Sequence, residues 1–334
     1  MNPIERLQAL PRERFAFLPT PLVELPRLSA RLGGPRLWMK RDDQTGLGFG
    51  GNKVRKLEFL VGDALSRGCD TLVTSGAGQS NHCRQTAAAA AAAGLGCVLA
   101  LGGEEPEGPS TGNLLLDRLF GATIRWCGSS RRGERVPALL VELRAAGRKP
   151  YEIPYGGSND VGALGFVAAM GELKAQLAEQ RVSSATVVVA SSSGGTQAGL
   201  AVGADLYDLP VRIVGIGIDK GETAGGPYEA WLADLANRIA ARLGMRAEYT
   251  ADRFDVRSDY LGGGYGVIGD LEREAIRLVA RTEGVLLDPV YTGRAMGGLV
   301  DLVRRGGLGP GEPVLFWHTG GAPALFARAD ELLP

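Results

Sequence analysis

The order of apolar and polar positions divides most of this chain into alternating strands and helices. From Lys53 onward, apolar residues recur at Val54, Leu57, Leu60, Val61, Ala64 and Leu65. That is the spacing of one buried helical face. A short β-branched run at 71–74 reads as a strand. Helices at 80–93, 112–120, 136–146 and 161–179 then alternate with strands at 97–101, 123–127 and 150–153. The run at 185–190 is valines flanked by alanines, the composition of a strand buried on both faces. A helix at 196–206, a strand at 211–218, helices at 227–243, 270–282 and 293–304, and a strand at 313–317 complete the pattern. Ahead of Lys53 come an extended Leu18-Pro-Thr-Pro-Leu22 segment, a short helix near 28–32, a strand at 36–40 and a loop rich in Gly and Asp.

Uninterrupted strand–helix alternation predicts an α/β fold, with parallel sheets carrying helices on both faces. The 334 residues suffice for two such sheets. Ligands in this architecture bind beyond the carboxyl ends of the strands. The glycine-rich turns therefore belong to one cleft.

Composition narrows the function classes. Lys plus Arg equals Asp plus Glu, at 37 each, which argues against nucleic acid or an anionic membrane as partner. The four cysteines form no CxxC pair and there are only two histidines, so no metal site is expected. No apolar run approaches the ~20 residues needed to span a membrane. Residues 1–17 carry Glu5, Arg6, Arg12, Glu13 and Arg14 rather than the apolar core of a signal peptide. A cytoplasmic protein with buried thiols is expected.

The candidate chemistry lies in the turns. Gly50-Gly-Asn-Lys-Val-Arg-Lys56 places Lys53 at a helix start behind two glycines, which let the backbone approach a ligand. Alone, Lys53 reads as a solvated helix-start lysine. Partly desolvated, it has a lowered pKa and attacks aldehydes, as a Schiff-base lysine must. Ser75-Gly-Ala-Gly-Gln-Ser-Asn-His82 opens a helix, and its free amides, with Gln79, Ser80, Asn81 and His82, suit a carboxylate. Ser80 and Asn81 serve equally as ordinary N-caps. Ser191-Ser-Ser-Gly-Gly-Thr196 joins the valine strand to a helix and suits a monophosphate; it is neither a P-loop nor a GxGxxG turn. Tyr265 in Tyr260-Leu-Gly-Gly-Gly-Tyr-Gly266, Tyr291 in Leu287-Asp-Pro-Val-Tyr-Thr-Gly-Arg294, and His318-Thr-Gly-Gly-Ala-Pro323 complete the cleft. A phosphate cup, an activated lysine and a carboxylate site together point to pyridoxal 5′-phosphate and an amino-acid substrate.

These motifs, with Lys40-Arg-Asp-Asp43 and Gly156-Gly-Ser-Asn159, resemble the tryptophan synthase β-like (fold type II) pyridoxal-phosphate enzymes from about Leu18 to the C-terminus. The branch they resemble contains D-cysteine desulfhydrase, 1-aminocyclopropane-1-carboxylate (ACC) deaminase and L-cysteate sulfo-lyase. The resemblance implies a homodimer with a larger cofactor domain (1–49 plus 161–334) and a smaller inserted domain (50–160). It implies that Lys53 is the Schiff-base lysine and moves the α-proton. Asn52 and Lys56 would help hold the cofactor, and Ser192, Ser193, Gly194, Gly195 and Thr196 its phosphate. Gln79, Ser80 and Asn81, within the turn that ends at His82, would hold the substrate carboxylate, with Tyr265 and Tyr291 as acid/base groups. Thr292 and Thr319 stand where ACC deaminases typically carry Glu and Leu. A hydroxyl near the pyridine nitrogen, in place of a carboxylate, favours loss of a good leaving group from Cβ over opening of a cyclopropane. The implied activity is α,β-elimination of a sulfur-bearing three-carbon amino acid to pyruvate and ammonium. D-cysteine is the first substrate, then L-cysteate with Arg84 as a candidate sulfonate contact, then ACC. A racemase on the same fold shares the steps up to the α-carbanion. A non-catalytic metabolite-binding protein would keep the cleft and have no use for Lys53.

Overall fold

The computed structural model describes residues 1–219 and 227–333. Ten strands are present among them: β1 (Leu22–Glu24), β2 (Leu37–Arg41), β3 (Thr71–Ala77), β4 (Gly96–Gly102), β5 (Thr123–Trp126), β6 (Pro150–Glu152), β7 (Ala185–Ser191), β8 (Val211–Gly217), β9 (Asp255–Arg257) and β10 (Val314–His318). They form a six-stranded sheet in the order β1-β2-β10-β7-β8-β9 and a four-stranded sheet in the order β5-β4-β3-β6. Both ends of the chain supply the larger sheet, and residues 71–152 supply the smaller.

The valine run behaves as its composition demands. Successive side chains of a strand point to opposite faces. In β7, Val187 and Val189 enter one core, with Phe166 and Leu200, while Val188 enters another, with Leu299 and Phe316. The first of these cores also holds Leu57, Leu60, Leu72 and Leu99, so apolar packing is continuous from one sheet to the other. The helix Lys53–Ser66 lies in it.

Three features differ from the sequence-based expectation. First, the larger sheet is not wholly parallel, because β1 runs antiparallel to β2. Second, β1 and β9 are three residues long, too short to display a periodicity. Third, the lysine helix is buried nearly all round rather than on one face, with Arg55, Lys56 and Glu58 among its buried residues.

The polar part of that burial is an ion network. Arg55 donates to both oxygens of Asp42, at 2.8 Å each, and to Glu172 Oε2 at 3.0 Å. Lys40 pairs with the same Glu172 and donates to the Thr20 carbonyl at 2.6 Å. The Trp317 indole donates to Asp42 at 2.8 Å. Burial would raise the Glu172 carboxyl, but Arg55 and Lys40 reverse this and hold it down at about 2. Paired in this way, buried charges are tolerable. They tie the lysine helix to β2, β10 and the helix Leu164–Glu179.

Candidate active site

Lys53 is the first residue of its helix, and the turn before it requires glycine. Gly50 and Gly51 have φ of 65° and 125°. A Cβ on Gly50 would lie 2.1 Å from the Asp43 carbonyl oxygen, and one on Gly51 would lie 2.4 Å from Gln85 Nε2. The Asn52 amide donates to the Thr319 carbonyl at 3.0 Å, and Val54 N–H to Gln85 Oε1 at 2.9 Å. With its backbone fixed on both sides, Lys53 sends Nζ into a cleft, 3.2 Å from the Gly156 carbonyl.

That cleft is a pocket at the carboxyl ends of strands from both sheets. Its lining includes Asn52, Lys53, Ser80, Asn81, His82, Ser192, Ser193, Gly194, Thr196, Tyr291 and Thr319 from the sequence-based set. Among the described residues no carboxylate lines it, and Lys53 is its one lysine.

One end is the cup after β7. Gly194 has φ of 88°, and a Cβ there would meet Trp231 Nε1 at 2.8 Å. The helix Gly195–Leu206 that follows has no side-chain cap from its N-cap residue, and beyond Gly195 its first-turn amides suit an anion. Gly195 lies outside the lining, and its N–H donates to Ser158 Oγ at 3.1 Å. Ser158 also accepts from Lys56 Nζ at 3.0 Å and bonds Ser193 Oγ at 2.8 Å. Lys56 thus sits behind the cup rather than in it. Burial, and then the neighbouring charge of Lys53, lower its pKa well below the usual lysine range.

The other end is the turn before the helix Asn81–Ala92. Ser80 caps that helix, accepting from Cys83 N–H at 3.2 Å, and also lines the pocket. Asn81 is oriented by Asn113, whose Nδ2 donates to Asn81 Oδ1 at 2.9 Å. Gln79 does not join them. Its side chain bonds the Thr111 carbonyl and Asn113 N–H, and it is absent from the lining. His82 Nε2 lies 2.9 Å from Thr74 Oγ1, whose own hydrogen goes to the Ile153 carbonyl. The ring therefore carries its proton on Nε2. Burial, Lys53 and Lys56 keep it neutral.

Tyr291 lines the pocket, with Tyr265 behind it at a hydroxyl separation of 2.8 Å. Burial pushes Tyr265 up to about 12 and raises Tyr291 well above the usual phenol range. Both are protonated at neutral pH, so they are placed to give protons rather than take them. Tyr291 is held by Asp288, whose carboxylate accepts from the N–H groups of Val290, Tyr291 and Thr292 and from the Thr292 hydroxyl. This corrects the place given to Thr292: it is fully buried, its hydroxyl is spent on Asp288, and it does not line the pocket. Thr319 does. Arg84, the candidate sulfonate contact, is fully buried, is not among the lining residues, and donates to the Gly50 carbonyl at 3.1 Å.

Sequence reasoning missed Tyr155 and Gln197, which also line the pocket, and Ser158 and Asp288, which hold its walls. Tyr155 was legible only as part of a turn following a strand, the same arrangement that marked the other sites. Among the described residues no cluster of His, Cys, Asp or Glu could hold a metal, and no helix is long and apolar enough to cross a membrane.

Residues 14–320 match the family described as pyridoxal-phosphate dependent enzyme. The chain is 46% identical over 332 residues to the D-cysteine desulfhydrases of Salmonella typhimurium and Salmonella newport, covering 97% of this chain and 98% of each relative. A crystal structure of an ACC deaminase homologue superposes with a TM-score of 0.88 at 40% identity, covering 99% of this chain and 98% of that one. A fungal L-serine ammonia-lyase from Rhizomucor miehei, at 20% identity and a TM-score of 0.63 over 94% of this chain and 96% of its own, shares the fold. With a lysine-bearing pocket at the carboxyl ends of strands from two sheets, the chain belongs to the pyridoxal-phosphate dependent enzymes.

Proposed function

We propose that this enzyme eliminates sulfide from D-cysteine. The near full-length identity to D-cysteine desulfhydrases carries this reading. In the net reaction the Cα–H and Cβ–S bonds break, sulfide leaves, and water converts the three-carbon enamine to pyruvate and ammonium.

The pocket fits pyridoxal 5′-phosphate: the uncapped helix start at Gly195 and the Ser192–Thr196 turn can take its phosphate, and Lys53 its aldehyde carbon. When bound, the cofactor supplies an electron sink for the α-carbanion. The protein's own residues do the rest. Ser80 and Asn81, beside free amides, bind the substrate carboxylate. Lys53, anchored by the Gly156 carbonyl, moves the proton at Cα. Tyr291, protonated and paired with Tyr265, delivers a proton toward the departing sulfur. Thr319 lines the pocket and would offer its hydroxyl, where among the described residues no lining carboxylate competes with it. Gln79 and Thr292 act from outside the pocket, by holding Asn113 and the Asp288 turn.

We propose the unit boundaries to be 1–49 plus 161–334 and 50–160, and the working form to be a cytoplasmic homodimer. Exposed Phe17, Phe49, Leu115, Leu119 and Phe326 on neighbouring elements support the dimer, because monomers rarely leave such patches open. Incubation with D-cysteine, L-cysteine, L-cysteate and ACC tests the substrate. Pyruvate and sulfide from D-cysteine are expected. Sulfite from L-cysteate, or 2-oxobutanoate from ACC, at a higher kcat/KM than sulfide from D-cysteine overturns the proposal.

A further inference from the structure

Arg131 stands outside the pocket and yet touches three separate parts of its wall. It lies in the loop after β5, on the smaller sheet. Nη1 donates to the Tyr155 hydroxyl at 3.2 Å. Nη2 pairs with Asp219, just beyond the end of β8 on the larger sheet, and Arg132 joins the same carboxylate at 2.8 Å. The guanidinium also lies over the Tyr265 ring, 4.4 Å from its centroid. One planar cation thus spans the cleft from one sheet to the other.

Two of these contacts lead into the pocket. Tyr155 is a lining residue and opens the turn Tyr155–Gly157. The next residue, Gly156, offers its carbonyl to both Lys53, at 3.2 Å, and Lys56, at 3.0 Å. Gly156 packs directly on the phosphate-cup turn, since a Cβ on it would lie 2.1 Å from Ser193 Oγ. Tyr265 leads by its hydroxyl to Tyr291, on the far side of the pocket. Tyr155 and Tyr265 therefore take their positions from one side chain, and the acceptor for Lys53 moves with the first of them.

We propose that Arg131 is a positioning residue for the reaction, a strap across the cleft that sets the Tyr155–Gly156 turn and Tyr265 together. A salt bridge of purely structural use would need only Asp219. The flat guanidinium is the group suited to donating in two directions while stacking on a ring. Displacing a reacting group by a fraction of an ångström is enough to slow catalysis strongly.

The kinetic arm of the test rests on the D-cysteine reading, and the spectroscopic arm does not. Holoenzymes carrying Arg131→Met, Arg131→Lys, Tyr155→Phe and the Arg131→Met/Tyr155→Phe pair are compared with wild type. Arg131→Met is expected to lower kcat on D-cysteine by about 10- to 100-fold with an unchanged melting temperature, and Arg131→Lys to restore only part. The double variant should be little worse than either single one, because both cut the same connection. The visible circular dichroism of the bound cofactor should change in Arg131→Met, since it reports how the pocket wall holds the chromophore even where D-cysteine is not turned over. Wild-type kcat together with unchanged visible dichroism in Arg131→Met overturns the proposal, as do fully additive losses in the double variant. If Arg131→Met does not fold, Tyr155→Phe decides: a loss of about 10-fold upholds the strap, and wild-type kinetics and dichroism refute it.

Discussion

The two faces of the helix Lys53–Ser66 use buried charge in opposite ways. One face carries Arg55, which meets Asp42 and Glu172 with its donors saturated. Asp42 and Glu172 outweigh the burial of Arg55 and raise its pKa. The other face carries Lys53 and Lys56, one helical turn apart, with neutral His82 beside them and, among the described residues, no carboxylate lining the pocket they serve. There burial and the charge of Lys53 lower Lys56. The same helix is glue on one side and a cleft wall on the other. Burial alone does not make a residue functional. What separates the two faces is where they lead: Arg55 is spent on Asp42 and Glu172, while Lys53 lines the cleft.

That contrast can be broken in four ways. Lys53→Ala is expected to lower kcat by about 10³-fold or more while the protein still folds, since Lys53 lines the cleft and does not belong to the buried core. Turnover of D-cysteine and thermal melting together check this, and an unfolded Lys53→Ala would show that the pocket face is structural after all. Arg55→Met is expected to do the reverse. It removes the only cation paired with buried Asp42 among the described residues and one of the two paired with Glu172, and should destabilise by about 3–5 kcal/mol, seen as a lower denaturation midpoint in urea.

Acid should act on the same network. The Glu172 carboxyl is held at about 2, below its ordinary value of 4.5. A depressed carboxyl adds stability that is complete above the unfolded value and fades as pH falls through the folded one. Unfolding measured from pH 5 down to about 2 should therefore show a loss that is smaller in Glu172→Gln; an identical slope in both proteins refutes the pairing. The smallest effect is expected at Lys56. Lys56→Met removes a repelled, desolvated cation and should leave the melting temperature unchanged or raised. Cofactor affinity should weaken about 10-fold, near 1.4 kcal/mol, because the Ser158–Ser193 wall of the cup loses its brace. Titration of the apoenzyme with pyridoxal phosphate reads it directly.

The site divides along the same line as the faces. Lys53, Ser80, Asn81 and the Ser192–Thr196 turn could be picked out because each sits at a strand–helix junction marked by glycine or a small polar residue. Tyr155 and Ser158 follow a strand of only three residues, where local pattern is faint. Asp288 looked like turn chemistry, and its task of gripping Tyr291 and Thr292 appears only once the chain has folded back on itself. Gln79 sits inside the best-marked motif and still turns away, because Asn113 and Thr111 take its side chain.

By itself the sequence determined the alternation of strands and helices, the two parallel sheets and the lysine behind its glycine turn. All of these depend on neighbours within a few positions, whose periodicity and backbone freedom are written locally. Tertiary structure alone decided which polar groups would neutralise each other. Arg55 finds Glu172 across 117 positions, and Arg131 finds Asp219 across 88. No local rule encodes such meetings, since a charge is indifferent to sequence distance and answers only to distance in space. The pocket gathers at the junction of those pairings' two sheets, and it is where the chemistry was left to happen.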